Sequence, residues 1–246
     1  MSSLASVRAQ VEERLRGRVT APFTARISTQ QPVLATGIPA IDAILGGVPC
    51  GEITESVGAR WCSAGRKSLQ SQLLSVATKD QFCALIDATD SFDPKSARAA
   101  GVDLRRLLWI RCGGQGMKAM EQAFKSADLL LQGSGGFGLL ALDIGGVSET
   151  FVRRVPLSTW FRFRAVVEKL SAPLVVLTPY PVVGTCCGLT VNLSGAKIRW
   201  SLPTTDGPAH ARLAMGLDFD VQVAARRSSK KPSQSIRSFS AERQWA

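Results

Sequence analysis

A chain of 246 residues, 45% hydrophobic and 20% charged, has the composition of a globular protein with room for one large α/β core or two small ones. Its net charge of +11 implies an anionic partner, nucleic acid ahead of membrane, because no basic amphipathic helix with a strongly apolar face stands out. No apolar stretch reaches the roughly 18 residues that span a bilayer. The start Met1-Ser-Ser-Leu-Ala5 is not a charged segment leading into an apolar signal core, so a cytoplasmic location away from membranes is expected.

Leu4, Val7, Val11 and Leu15 recur at helical spacing and Gly17 follows as a stop, which predicts an amphipathic helix over 3–16. Residues 18–33, with Pro22 and Pro32 among Thr, Ser and Gln, read as a linker. From Gly37 onward, short apolar runs predict strands at Glu52–Val57, Phe82–Asp87, Leu107–Cys112, Phe137–Asp143 and Leu174–Thr178. Helical patterns fall between and after them at Ser68–Thr78, Pro94–Ala100, Lys118–Leu131 and Leu157–Leu170. Nearly continuous apolar strands alternating with helices are what a parallel sheet covered on both faces requires. After Pro181, alternation at Leu189–Leu193, Ala196–Ser201 and Leu213–Ala224 predicts an antiparallel extension. The expected plan is an N-terminal helix and linker over 1–30, a three-layer α/β core over 31–225, and a basic disordered tail over 226–246.

The first strand leads through Gly58 into Ala59-Arg-Trp-Cys-Ser-Ala-Gly65-Arg66-Lys67-Ser68-Leu69, a strand, turn and helix that outline a phosphate-binding loop. Such a loop is Gly-x4-Gly-Lys-[Ser/Thr], whose backbone N–H groups wrap phosphates while the Lys neutralises them and the hydroxyl holds magnesium. Neither register fits. With Gly65 as the second glycine, Arg66 takes the Lys place and Lys67 the hydroxyl place, with Ser68 one position late. With Lys67-Ser68 as the Lys-Ser pair, Arg66 replaces the second glycine and Trp61 the first. The loop is also about two residues longer than the motif. Two cations at a helix start still suit an anion. The plainer reading is a strand-to-helix turn that has lost its ligand.

Asp143, at the C-terminal end of a predicted parallel strand, stands where ligands bind in such sheets, and two roles are open to it. It either orients a magnesium ion or caps the Gly145-Gly146 turn. Trp160, Phe161 and Phe163 read as a helix face buried on the sheet ahead of a nucleic-acid stacking platform, with Arg153, Arg154, Arg162 and Arg164 as a solvated face. The six cysteines show no Cys-x-x-Cys spacing and His210 is the one histidine, which argues against zinc and for reduced, mostly buried thiols. At the end of the chain, Arg226, Arg227, Lys230, Lys231, Arg237 and Arg243 outnumber the lone acid Glu242, with Ser and Pro between them. Arg226, Arg227, Lys230 and Lys231 are the candidate DNA contacts, binding without sequence preference and weakening steeply with salt. A tail that only solubilises is the alternative, and Phe239 and Trp245 are isolated aromatics that suit a protein partner.

Several segments together resemble the RecA recombinase core over roughly residues 31–200: Thr36-Gly-Ile-Pro-Ala-Ile-Asp42, Leu45-Gly-Gly-Val-Pro-Cys-Gly51, Ala84-Leu-Ile-Asp-Ala-Thr-Asp-Ser-Phe-Asp-Pro94, and Ala97–Leu108 with its Ala-Gly-Val-Asp-Leu. The short initial helix, Leu108–Cys112 and Arg153-Arg-Val-Pro-Leu-Ser-Thr-Trp-Phe-Arg162 are similar to the ImuA-type proteins, RecA-like accessory factors of bacterial damage-inducible mutagenesis. The resemblance implies a RecA-like P-loop core taking ATP with magnesium, with Asp143 as the metal-orienting carboxylate. It also implies DNA and a translesion polymerase-like protein as partners, with RecA itself a further one. Two departures go with it. Thr89 stands where the family has the glutamate that activates the attacking water, with Asp90 adjacent, and Pro179 stands where a glutamine senses the γ-phosphate. Threonine is a poor general base and proline has no side-chain donor. The implied function is therefore an SOS-type DNA-repair accessory protein with at most weak ATPase activity. The alternative is a DNA-dependent ATPase of the recombinase type, with Arg66 or Lys67 on the phosphates and Asp90 as base.

Overall fold

Eight strands join in one sheet of order β10-β9-β8-β3-β7-β6-β4-β5 in the computed structural model, which describes residues 32–58, 65–114, 116–133, 136–201, 212–226 and 237–242. The strands are β3 (Ile53–Gly58), β4 (Phe82–Asp87), β5 (Leu107–Arg111), β6 (Phe137–Asp143), β7 (Leu174–Thr178), β8 (Cys187–Trp200), β9 (Ala214–Arg226) and β10 (Arg237–Glu242). From β8 through β3, β7, β6 and β4 to β5 every pairing is parallel, and β8–β9 and β9–β10 are antiparallel. The fold is thus the expected α/β core with a mainly parallel sheet and a C-terminal antiparallel extension. A small second sheet pairs β1 (Val33–Leu34) with β2 (Val48–Pro49) around helix α1 (Pro39–Leu45).

The core follows from side-chain alternation along the buried strands. On one face Leu139 and Ala141 of β6 pack with Leu69, Leu73 and Leu74 of helix α2 (Arg66–Ala77), together with α1. On the other, Leu140 and Leu142 pack with Ala123, Ala127 and Leu131 of α4 (Met117–Gln132) and with Trp160, Phe163 and Val167 of α6 (Leu157–Val167). Two shorter helices, α3 (Pro94–Ala99) and α5 (Glu149–Val152), lie in the connections after β4 and β6. α3 is started by Asp93, whose carboxylate accepts from the N–H groups of Lys95 and Ser96, with Pro94 in the first turn. No helix among the described residues is long and apolar enough to cross a membrane.

Four local features differ from the sequence reading. α1 is too short and too Pro-led for helical periodicity to register, yet Asp42 holds it by accepting from the Thr36 N–H at 2.8 Å, and Gly46 closes it in the left-handed region. The two segments expected at 189–193 and 196–201 are one strand, β8, whose pairing with β9 continues through an irregularity between Ser194 and Lys197. The single turn α5 was not expected. The tail expected to be disordered from 226 contains β10, which pairs with β9 from Arg237↔Val221 to Glu242↔Gly216. Serine and charge dominate that stretch, but an edge strand satisfies its backbone on a preformed neighbour and needs little apolar content. The helix expected over 3–16 and residues 18–31 of the expected linker lie outside the described residues, as do Trp61, Cys62, His210, Arg227, Lys230, Lys231 and Trp245, while Val33, the last residue of that linker, belongs to β1.

Two of the three aromatics expected on the buried face of α6 are buried, and Phe161 is not. Trp160 and Phe163 are 0% exposed and both meet Phe124 of α4, whereas Phe161 is 49% exposed. Trp160→Ala is expected to lower the unfolding free energy by about 3–5 kcal/mol, and Phe161→Ala to change it by no more than about 0.5 kcal/mol. Urea titration followed by circular dichroism checks both, and equal losses at the two positions would contradict this packing.

Candidate functional site

The start of α2 is a helix end without a side-chain cap. Gly65 precedes it with φ of 77°, a left-handed conformation suited to glycine. A Cβ at Gly65 would meet the ring of Phe219 on β9 at 2.8 Å, so the C-terminal extension seals this turn from one side and fixes the residue as glycine. Gly58 ends β3, buried and paired with Leu193. The loop between them, 59–64, is not among the described residues.

Arg66 and Lys67, the first two helical residues, reach across the C-terminal end of the sheet. Arg66 Nη1 donates to the carbonyl of Gly145 at 3.5 Å, and the Lys67 ammonium donates to Asp143 Oδ2 and to Ser91 Oγ, the latter at 2.8 Å. The same carboxylate accepts from the Gly145 N–H through Oδ1 at 3.0 Å, so Asp143 caps its own turn. Asp143 is 1% exposed, while Lys67 is half exposed. The residues surround a cleft of about 250 Å³ lined by Arg66, Lys67, Ser91, Asp143 and Gly145. Ser68 lies one position further along the helix and does not line it. The helix begins directly after Gly65, so Arg66 and Lys67, rather than Ser68, are the residues of its first turn that line the cleft.

These residues do not fit a magnesium ion. Both oxygens of Asp143 are engaged, one by an ammonium that already supplies positive charge, and no hydroxyl occupies the second helical position. Among the described residues no group of three or more His, Cys, Asp or Glu side chains is placed to hold a metal.

Both carboxylates at the end of β4 are engaged within the protein. Asp87 is fully buried and accepts from the N–H groups of Thr89 and Phe92 and the hydroxyl of Ser91, so it shapes the turn. The Thr89 hydroxyl donates to Ser91 Oγ at 3.1 Å. Asp90, in a left-handed backbone with φ of 53°, points instead to Arg111, which donates to it through two nitrogens at 2.7 and 2.5 Å. That guanidinium holds the Asp90 carboxyl below the usual carboxylate range, which weakens it further as a base.

The loop after β7 is tied down. The Thr178 hydroxyl donates to the Tyr180 carbonyl at 2.7 Å, and the Tyr180 hydroxyl donates to the Glu149 carbonyl at 2.7 Å. Glu55, buried in the middle of β3, accepts from the N–H groups of Val182 and Val183 at 2.6 and 3.1 Å. Sequence reasoning passed over Glu55, though a lone acid inside an otherwise uncharged strand interior was the signal for it. The arginines of the α5–α6 region are engaged on the surface: Arg153 with Glu149, Arg162 with Asp128 and Arg164 with Glu168. Arg226 ends β9. Cys50, Cys83, Cys112, Cys186 and Cys187 form no disulfide. Burial pushes Cys83 up to about 12 and Cys187 up to about 11, which leaves neither a thiolate at neutral pH.

The profile of the RecA N-terminal domain family matches residues 6–147, more than half of the chain. The chain belongs to that family. The RecA N-terminal domain match takes in β3 through β6 with Lys67 and Asp143, and β7 to β10 lie beyond it. Protein RecA of Chlorobaculum tepidum is 34% identical over 114 residues, 45% of this chain and 31% of the relative. That of Paramagnetospirillum magneticum is 37% identical over 114 residues, 45% and 30% of the two chains. That of Gluconacetobacter polyoxogenes is 36% identical over 121 residues, 48% and 32%. The aligned part thus spans about a third of the length of these curated relatives.

Burial raises the Glu55 carboxyl above its ordinary 4.5, against the lowering pull of the hydrogen bonds it accepts from Val182 and Val183. Between those two values the folded chain holds a proton that the unfolded chain has released. This contribution to stability is complete below 4.5 and is lost as pH climbs through the raised value. Glu55→Gln keeps an acceptor without the charge and is expected to flatten that part of the stability–pH curve. Chemical denaturation from about pH 4 to 8 checks this, and an unchanged slope in the variant would contradict the assignment.

Proposed function

We propose that this chain is a RecA-like DNA-repair accessory protein of the translesion-synthesis type, similar to the ImuA-type proteins, that binds DNA and a polymerase-like partner and turns nucleotide over poorly or not at all. The observation that carries the reading is the Lys67 ammonium seated on the Asp143 carboxylate, a pairing that occupies the position of a metal-handling group. Thr89 and Pro179 at the base and sensor positions, and the pinned loop after β7, support it. Loss of a positioned general base or of transition-state electrostatics each costs a factor of about 10² or more, so the departures compound. ATP remains the proposed ligand of the cleft, held by Arg66, Lys67 and the first turn of α2.

The family match over residues 6–147 favours a second reading, a DNA-dependent ATPase of the recombinase type. ATP hydrolysis measured with and without single-stranded DNA separates the two. The accessory reading expects a rate near background that DNA does not raise. Hydrolysis that DNA stimulates and Asp143→Ala abolishes would establish the ATPase instead.

DNA binding is assigned to the basic segment that begins at Arg226. Each phosphate that a cation neutralises adds about 0.7–0.9 to the log–log dependence of affinity on salt, so replacing Arg227, Lys230 and Lys231 together by Ala is expected to reduce that slope by about 2–3 and to weaken binding. Fluorescence anisotropy at several salt concentrations checks this, and an unaltered slope would remove the segment from the interface.

A further inference from the structure

The Lys67–Asp143 pair has a consequence for the form of nucleotide that the cleft accepts. A lysine ammonium is a compact single charge with three N–H donors. Lys67 directs one to Asp143 and one to Ser91, which leaves one donor for a ligand oxygen on a side chain that is half exposed at the cleft. Asp143, buried and holding Gly145 through its other oxygen, has its charge met by the protein itself. A second cation brought in with the ligand would face the Lys67 ammonium and the Arg66 guanidinium without a carboxylate oxygen left over among the residues that line this cleft.

We propose that Lys67 is the resident counter-cation of this site, and that the cleft takes the metal-free triphosphate anion in place of its magnesium complex. This inference rests on the reading of the cleft as a nucleotide site and adds the charge state of the ligand. The ammonium stands at the helical position from which a hydroxyl would reach a metal, and it uses the carboxylate that would orient that metal's water. Arg66, beside it and anchored on the Gly145 carbonyl, supplies the second positive charge. Metal-free ATP leaves its phosphate oxygens open to the third N–H of Lys67 and to the N–H groups at the start of α2.

Isothermal titration of the full chain with ATP, in EDTA and again in excess magnesium chloride, tests this without any variant. The wild type is expected to bind ATP in EDTA at least as tightly as in magnesium. Lys67→Ser, which restores a hydroxyl and releases the carboxylate, is expected to bind at least tenfold more tightly with magnesium than in EDTA. Wild-type binding that is tenfold or more tighter with magnesium would overturn the role of Lys67 and leave the nucleotide reading standing. No heat of binding in either buffer, for wild type and variant alike, would overturn the nucleotide reading and this inference with it.

Discussion

Burying a charged carboxylate is costly unless its charge is met within the protein, and at Asp143, with 1% of its surface exposed, it is met by Lys67 from the start of α2. Around this contact the C-terminal edge of the sheet is organised. It fixes the first turn of α2 over β6, draws in Ser91 from the turn after β4, and leaves Oδ1 to hold the Gly145-Gly146 turn. One side chain thereby links three of the parallel-strand exits of the core. A divalent metal could neutralise the same carboxylate, but it would come and go with its ligand. An ammonium on the chain stays.

Strands β3 to β7 and the helices on both faces need only apolar alternation and short crossovers, and these are intact. The polar groups at the strand ends hold the turns and loops that follow them. Asp87 organises its turn, Asp90 pairs with Arg111, Thr178 ties to Tyr180, and Glu55 fastens the loop after β7.

Much of the scaffold was legible because buried parallel strands are written as contiguous apolar runs. β4, β6 and β7 fall on the bounds expected from sequence, and β3 and β5 within a residue of them. β8 was divided because Ser194 and Gly195 interrupt its pattern, although the ladder with β9 resumes at Lys197. β10 was hidden by a composition that reads as solvated chain. At the site, sequence identified Arg66, Lys67 and Asp143 but not their arrangement. Lys67 and Asp143 are 76 positions apart, and no local period reports such a pairing. The helix register that puts Lys67 rather than Ser68 at the cleft is likewise set by where α2 begins, after Gly65.

Phe219 lies against Gly65, so the last quarter of the polypeptide completes the first turn of a helix that begins before residue 70. β3 is likewise flanked by β7 and β8, both encoded more than a hundred residues later. During translation the central strand emerges long before either neighbour exists, with its backbone donors and acceptors unpaired. The core must wait for the ribosome to deliver its closing strands. A truncated product ending near residue 180 would present an exposed sheet edge beside β3, a template for aggregation.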